Sequence, residues 1–391
     1  MRAKVKQRRR NFDESAMKGL LYWFLTIALL LLCACEKEEL QETPVAGRTV
    51  LVYFAADNNL SSSVEGDIAA MEEGLPGMDM CDGNLLIYAD RKGQSPQLLR
   101  LVQEGDSVRR EVIEEYVIDH ASATAERLRQ VLLQVTEAYP SDQYGLVLWS
   151  HGTAWLPFDY KNYLRSFGTD TGNHAMRVDD LTAALSDYHF DFLLFDACYM
   201  ASLEVAYALR HCTDYLIASP TEVLADGFPY QLFMQDMFMP EANVVDMAKQ
   251  FYTYYQSSYG TISVTKTAEL ADLATACRAI FQGKREEELF AVPVQELQIM
   301  EYLTGNVHAL YDCADYVRQL ATDAQYAEFQ SCLERAVIYK ATTPKSAYAY
   351  AFGTYLPINR FSGLSIYVPQ AELADLNSWY QQLDWYQAVY Q

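Results

Sequence analysis

Short, nearly continuous apolar runs separated by helical stretches are the feature of this sequence that most limits its fold. Five of these runs are predicted strands: Thr49–Ala55, Asn84–Tyr88, Gly145–Trp149, Phe190–Phe195 and Tyr215–Ala218. Strands buried on both faces are apolar along their whole length, whereas the intervening stretch Ala125–Ala138 has the three- and four-residue apolar spacing of a helix. The pattern predicts an α/β fold, an α/β/α sandwich around a mostly parallel sheet.

The chain beyond residue 239 is richer in helical patterns. The predicted elements there are helices at Val244–Tyr259, Thr267–Phe281, Glu287–Gln319 (interrupted) and Asp323–Tyr339, and strands at Ser346–Phe352 and Leu364–Val368. We therefore assign residues 48–238 to the core and residues 239–391 to a helix-rich C-terminal region. The pattern alone leaves open whether this region is separate or returns strands to the first sheet.

The N-terminus has the pattern of an export signal. Seven Lys or Arg residues precede Leu20, and Leu20–Ala34 is apolar apart from Thr26, which is too short for a typical spanning helix. Leu32-Cys33-Ala34-Cys35 resembles a bacterial lipobox, so residues 1–34 are a predicted lipoprotein signal, Cys35 is the lipidation site, and residues 35–47 form an acidic tether. The expected location is the outer membrane, facing the periplasm or the cell surface. A secretory signal cut near Ala34 and a plain signal anchor remain alternatives.

Composition limits the partners. The chain is 51% apolar and carries 52 acidic against 30 basic residues, for a net charge of −22. Such a chain can bury a large core, and its charge excludes nucleic acid as a partner. No CxxC, HExxH, GxSxG or P-loop pattern is present, which argues against a zinc site, a serine hydrolase and a phosphate-binding loop.

Two predicted strands stop at reactive side chains. The run Leu146–Trp149 leads into Ser150-His151-Gly152, and the run Phe192–Phe195 leads into Asp196-Ala197-Cys198. The carboxyl ends of parallel strands meet at one edge of a sheet, where ligands bind in open α/β folds. A thiolate nucleophile needs a neighbouring base or cation, and imidazole is the usual one. His151 and Cys198 are therefore a candidate catalytic pair, although a buried structural cysteine beside a hydrogen-bonded histidine is the alternative.

Four blocks in this order resemble the signature segments of the clostripain family of cysteine peptidases, in the clan of caspases, legumains and gingipains. They are 52–60 (VYFAADNNL), 149–152 (WSHG), 196–200 (DACYM) and 362–367 (SGLSIY). The resemblance runs from about residue 49 to 368. It implies a caspase-like fold and an endopeptidase that cleaves proteins or peptides after Arg or Lys.

The resemblance also implies roles for individual residues. Cys198 would be the nucleophile and His151 the acid that protonates the leaving amine, while the backbone N–H groups of Gly152 and Cys198 would form the oxyanion hole. Asp196 would bind the basic P1 side chain, helped by Asp226. A carboxylate pairs bidentately with guanidinium, which favours Arg over Lys. A helix N-cap is the alternative role for Asp196.

Three further expectations accompany the resemblance. No cofactor is required, and calcium is possible because some members bind it, but capping of the next helix is the favoured interpretation of Asp57-Asn58-Asn59, which lacks EF-hand spacing. Family members often cut themselves between the His and Cys blocks, where Lys161, Arg165 and Arg177 lie. The rival function is a non-catalytic surface lipoprotein that binds peptides in the same crevice.

Overall fold

The structure, a computed structural model, describes residues 46–156, 166–302, 307–345, 347–349 and 353–391. The described strands are β1 (Ala46–Ala56), β2 (Asn84–Arg91), β3 (Gln97–Glu104), β4 (Ser107–Glu115), β5 (Ser141–Trp149), β6 (Phe190–Asp196), β7 (Thr213–Ala218), β8 (Thr261–Lys266), β9 (Leu310–Asp312), β10 (Val337–Thr342), β11 (Ala347–Ala349), β12 (Thr354–Leu356) and β13 (Ser365–Tyr367). The described α-helices are α1 (Val64–Gly74), α2 (Ala125–Ala138), α3 (Val178–Leu185), α4 (Leu203–Ala208), α5 (Tyr230–Phe238), α6 (Val244–Tyr255), α7 (Leu270–Phe281), α8 (Glu286–Phe290), α9 (Cys313–Leu320), α10 (Asp323–Ala336), α11 (Ala374–Tyr380) and α12 (Asp384–Tyr390).

Nine strands form one sheet in the order β10-β8-β7-β6-β5-β1-β2-β3-β4. The five central strands, from β7 to β2, are parallel to one another. Antiparallel strands extend both edges, with β3 and β4 on one side and β8 and β10 on the other. The parallel strands therefore end together at one edge in the middle of the sheet.

Alternating side chains of each central strand enter two separate cores. In β1, Val52 and Phe54 pack on one face with residues of α1, α5 and α6. Leu51 and Tyr53 point to the other face and pack with residues of α2, α3, α4 and α7. Helices thus cover both faces, because every strand residue in the middle of the sheet must be buried by one layer or the other. The predicted α/β/α sandwich with a mostly parallel sheet is confirmed.

Four strands of this sheet were not predicted from the sequence. The hairpin β3–β4 is rich in charged residues, as exposed edge strands often are, which hid its pattern. The predicted helix Asp323–Tyr339 was too long, because α10 ends at Ala336 and the chain continues directly into β10. Strand β8 lies in a gap left between two predicted helices. Outside this sheet, the predicted helix Glu287–Gln319 contains the short strand β9 before α9.

The C-terminal region contributes to the same sheet as the core. Strand β8 pairs with β7, and β10 pairs with β8, so two strands from beyond residue 239 form one edge. The helices α7 and α10 pack against each other beside this edge. Of the two possibilities that the sequence left open, the return of strands to the first sheet is the one observed.

The N-terminal predictions concern residues outside the described part. Cys35 and the whole of residues 1–34 lie there, as does the acidic tether up to residue 45. In the ranges that are described, no helix combines the length and the apolar character needed to cross a membrane. The six cysteines of the same ranges are free thiols: Cys81, Cys198, Cys212, Cys277, Cys313 and Cys332.

Candidate active site

The two predicted reactive segments leave neighbouring strands at the same level. Strands β5 and β6 are parallel neighbours, and Trp149 at the end of β5 is paired with Asp196 at the end of β6. His151 and Cys198 each lie two residues beyond this pair. Because parallel strands end at one edge, the register alone brings both side chains to the same crevice.

A cavity of about 370 Å³ lies at this edge of the sheet. It is lined by residues 59–60, 149–153, 196–199, 222–225 and Gly227. His151, Gly152, Asp196 and Cys198 are thus brought together, as predicted from the sequence. Asp226 does not line the cavity. Its side chain is exposed on the loop that contains residues 222–225 and Gly227, and it makes no hydrogen bond or ion pair with the described residues.

His151 is held by a residue whose importance the sequence did not reveal. Its Nε2 lies 2.8 Å from Oδ1 of Asn59, in the loop that leaves β1. An amide oxygen can only accept, so Nε2 carries the hydrogen and Nδ1 holds the lone pair of the neutral ring. Burial lowers the pKa of His151, which favours this neutral form at pH 7.

The Cys198 thiol, in a partly buried residue of the cavity wall, has surroundings that suppress its ionisation. The Val223 N–H donates to Sγ at 3.3 Å, and the thiol lies 3.7 Å from the Val223 carbonyl oxygen, which accepts from it. Burial raises the pKa of Cys198 to about 12, and the negative charges of Glu222 and Asp196 add to the rise. In this conformation the sulfur is therefore a protonated thiol and not a thiolate.

Backbone geometry fixes the two segments against each other. A Cβ at Gly152 would lie 2.5 Å from the Cys198 carbonyl oxygen, so only glycine allows this approach. Tyr199 has a left-handed conformation with φ of 66°, and its N–H donates to the Thr221 carbonyl. Among the described residues, the N–H groups of Gly152 and Cys198 donate no hydrogen bond to another residue. Two backbone donors therefore remain beside the thiol.

Asp196 is a buried carboxylate behind the thiol. Its Oδ2 accepts hydrogen bonds from the Phe228 N–H and the Tyr230 hydroxyl, both at 2.9 Å. Its Oδ1 accepts none from the described residues. Burial raises its pKa, and these two donors oppose the rise. The alternative of a cap for the helix that comes next is wrong, because α4 is capped by Ser202 instead.

The loop that carries Gly227 is supported from the C-terminal half. The hydroxyl of Tyr255, at the end of α6, donates to the Gly227 carbonyl oxygen at 2.5 Å. Gly227 itself has a φ of 64°, and a Cβ there would lie 2.8 Å from Oδ2 of Asp196. This glycine therefore supplies both the turn and the space beside the carboxylate.

The favoured interpretation of Asp57-Asn58-Asn59 as a cap for the next helix is wrong. Helix α1 has Ser63 at its N-cap, without a side-chain cap bond. Asp57 instead accepts from Thr171 and pairs with His120, while Asn58 donates to the Ala55 and Thr169 carbonyls. Long-range contacts therefore use these side chains.

Within the described ranges, no group of three or more His, Cys, Asp or Glu side chains is arranged to hold a metal ion.

Sequence comparison places the chain among peptidases. The model of the clostripain family matches residues 52–391. Clostripain from Hathewaya histolytica is 26% identical over 218 residues, which make up 46% of this chain and 40% of that protein. The chain thus spans about two-fifths of the length of this curated relative.

Solved structures give the same result over nearly the whole described chain. A C11 protease from Parabacteroides distasonis, solved as an inactive zymogen, is 55% identical with a TM-score of 0.83, covering 89% of this chain and 99% of that one. A secreted C11 cysteine protease from Bacteroides thetaiotaomicron, solved with an irreversible peptide inhibitor, is 33% identical with a TM-score of 0.78, covering 88% and 98%. The fold is therefore the caspase-like fold of these proteases, and the chain belongs to the clostripain family of cysteine endopeptidases.

Proposed function

We propose that this protein cleaves proteins or peptides after Arg or Lys, with Cys198 as nucleophile and His151 as its partner. The pairing of Trp149 with Asp196 is the observation that carries the proposal, since it brings an imidazole, a thiol and a buried carboxylate to one cavity. The comparisons support a protease that acts on peptide bonds. They lend no support to the rival of a non-catalytic binding protein.

The proposed chemistry proceeds through an acyl-enzyme. The Cys198 sulfur attacks the carbonyl carbon of the scissile bond, and the proton lost by the thiol is delivered through His151 to the leaving amine. The N–H groups of Gly152 and Cys198, which donate to no other residue in the described part of the chain, stabilise the oxyanion. Water then hydrolyses the thioester and releases the acid product. No step needs a cofactor, and calcium would act only on the structure.

The proposed P1 preference rests on Asp196. One of its oxygens is already satisfied by two donors, and the other accepts nothing from the described residues, so it is available to a cation that enters from the cavity. A buried carboxylate attracts a guanidinium or ammonium group more strongly than an exposed one does, because the local dielectric constant is lower. Asp226, which is exposed, is proposed only as an auxiliary charge near the entrance.

The experiment that tests the proposal is hydrolysis of matched fluorogenic peptides with Arg, Lys, Asp or Ala at P1 by purified residues 36–391. We expect the Arg and Lys peptides to be cleaved and the other two to be left intact. Cleavage after Asp would retain the family but refute the role of Asp196. The absence of any cleavage, under reducing conditions and after limited proteolysis, would refute the proposed activity.

We further propose that the intact chain is a zymogen. Its support is the hydrogen-bonded Cys198 thiol with a raised pKa and the inactive zymogen form of the 55% identical relative. Arg177 is an unfavourable cleavage site because its backbone N–H donates to Asp180 in the first turn of α3. Lys161 and Arg165 lie outside the described residues and are the proposed sites.

Activation is expected to change thiol reactivity. Because the raised pKa leaves little thiolate at pH 7.5, iodoacetamide should alkylate Cys198 at least about tenfold more slowly in the intact chain than after cleavage. Mass spectrometry of peptides from both forms measures the two rates. Cys81, whose carbonyl group lies beside Gly47 near the start of β1, is the internal reference. Equal rates for Cys198 in the two forms would contradict the zymogen proposal.

Lipid anchoring at Cys35 is a separate proposal that rests on the lipobox alone. We expect an alkyne-tagged palmitate to label the protein in growing cells and a Cys35→Ser variant to lose both the label and its sedimentation with membranes. Cys33→Ser is the matched control and should stay labelled. Labelling that persists in Cys35→Ser would refute the assignment, and protease digestion of whole cells would distinguish surface-facing from periplasmic anchoring.

A further inference from the structure

Asp67 is a buried carboxylate that neither the proposed chemistry nor the motifs explain. It lies in α1 on the apolar stripe of Val64, Ile68 and Met71, and the residue is only 5% exposed. Its Oδ2 has no hydrogen-bond partner among the described residues. Buried polar atoms are nearly always paired in native proteins, so an unpaired carboxylate oxygen needs an explanation.

The position of Asp67 relates it to the cavity. A Cβ at Gly227, which lines the cavity, would lie 2.8 Å from Oδ2 of Asp196 and 3.4 Å from Oδ1 of Asp67. Asp67 itself does not line the cavity, but both carboxylates lie against the bare Cα of Gly227, which does. Trp149, which also lines the cavity, offers Asp67 a hydrogen bond from its indole.

Within the described residues, no positive charge compensates Asp67. The titratable groups that face it are Asp196 at the end of β6, Asp226 on the loop, Tyr230 in α5 and Tyr255 in α6. No Lys or Arg of the described residues forms an ion pair with it. Burial raises the pKa of Asp67, and the charge of Asp196 raises it further. When no cation is bound, the pair formed by Asp67 and Asp196 therefore retains a proton.

A cation between the two carboxylates would remove this conflict. It would allow both groups to ionise and would give the unpaired oxygen a donor. A guanidinium carries five N–H donors in a planar fork and can serve two carboxylates that approach from different sides, whereas an ammonium is a compact point charge. The site is thus better matched to Arg than to Lys.

We propose that Asp67 is a specificity-determining residue which, together with Asp196, forms a two-carboxylate receptor for the guanidinium of a P1 arginine. The assignment rests on the proposed cleavage after basic residues and deepens it. It predicts that binding of P1 Arg displaces the proton that the two carboxylates share. Binding should therefore strengthen as the pH rises, because at higher pH the carboxylates have already lost this proton before the substrate binds.

The test compares Asp67→Asn with wild type on matched Arg and Lys peptides. We expect kcat/KM for the Arg peptide to fall at least about tenfold, mainly through KM, and that for the Lys peptide to fall less than about threefold. In wild type, KM for Arg should decrease between about pH 5.5 and 8.5, and Asp67→Asn should flatten this dependence. Glu73→Gln, an exposed acid-to-amide change on the same helix, is the matched control and should behave as wild type.

A second measurement needs no variant at Asp67. The wild-type enzyme is inhibited competitively with n-propylguanidine and with n-butylamine, both of which are fully cationic from about pH 5.5 to 8.5. Because these molecules resemble only the P1 side chain, their inhibition constants measure binding to the P1 pocket without the rest of a peptide. We expect the guanidine to bind about tenfold more tightly and its Ki to fall as the pH rises. Equal, pH-independent inhibition by the two cations would overturn the assignment even if Asp67→Asn fails to fold.

The outcomes separate this inference from the proposed function. If the wild-type enzyme cleaves after neither Arg nor Lys, the proposed function fails. If it cleaves after both and Asp67→Asn is folded with an unchanged Arg-to-Lys ratio and pH profile, only the role of Asp67 is refuted, and the residue is a protonated acid of the core.

Discussion

Cys198→Ala is expected to abolish peptide hydrolysis, lowering kcat by at least about 10⁴-fold. Loss of the nucleophile removes the covalent route altogether, and the backbone donors of Gly152 and Cys198 can stabilise only a slow direct attack by water. The measurement is initial-rate hydrolysis of the Arg peptide by wild type and variant after identical limited proteolysis, because a variant that cannot cut itself would otherwise remain a zymogen.

The fold of the Cys198→Ala variant should be unchanged, since the substitution removes one sulfur from a cavity wall. Its thermal unfolding midpoint should lie within a few degrees of the wild-type value. Cys81→Ala, which changes a half-buried thiol away from the cavity, is the matched control and should retain activity. Turnover above about 1% of wild type in Cys198→Ala would exclude this residue as the nucleophile.

Asp196→Asn is expected to lower kcat/KM for Arg and Lys peptides by about 10² to 10³-fold. Asparagine is the same size and keeps an oxygen for the Phe228 N–H and the Tyr230 hydroxyl, so the main change is the loss of a buried negative charge. Removing one partner of a desolvated charge pair costs about 2–5 kcal/mol, or about 30- to 4,000-fold, and the expected loss lies within these limits.

The exposed Asp226 provides the comparison for Asp196. Asp226→Asn should change kcat/KM less than about fivefold, because exposed ion pairs contribute about 1 kcal/mol or less. Cys198 in activated Asp196→Asn should still react with iodoacetamide, which shows that the site has formed. An Asp196→Asn enzyme that cleaves the Arg peptide as well as wild type does would show that another group binds the P1 charge.

The position of the site could be predicted because it depends on strand ends. His151 and Cys198 come directly after apolar runs that are buried on both faces, and parallel neighbouring strands leave little freedom for the residues just beyond their ends. The register of β5 with β6 accordingly brings both segments to one cavity. The positions of Gly152 and Asp196 could be predicted for the same reason, since both residues lie at the ends of these two strands.

The residues that support the site could not be identified in this way. Asn59 comes after β1, a third neighbouring strand, and its position at a strand end was the available signal, but its contact with His151 spans 92 residues. Asp67 gave a different signal, an acidic residue within the apolar stripe of α1. Neither pattern reveals a partner, because the partner is set by tertiary packing and not by local sequence.

The missed strands have a common physical cause. The edge strands β4 and β10, and β3 next to β4, are only partly buried, so their sequences need not be apolar throughout. The predicted helix before β10 continued too far because α10 passes into that strand with no intervening turn. Pattern-based prediction is strongest where burial is complete and weakest where one element runs directly into the next.

If Asp196 binds the P1 side chain as proposed, the hydrogen bond from Tyr255 to the Gly227 carbonyl gives the C-terminal half a part in substrate selection. Every group of the proposed dyad and oxyanion hole lies before residue 199, whereas the loop beside the proposed P1 pocket is held by a helix that begins at Val244. A chain ending at residue 238 would retain the reacting atoms without the support that shapes the pocket. Substitutions along α6 can therefore alter which peptides are cleaved, while the proposed catalytic dyad and oxyanion hole stay the same.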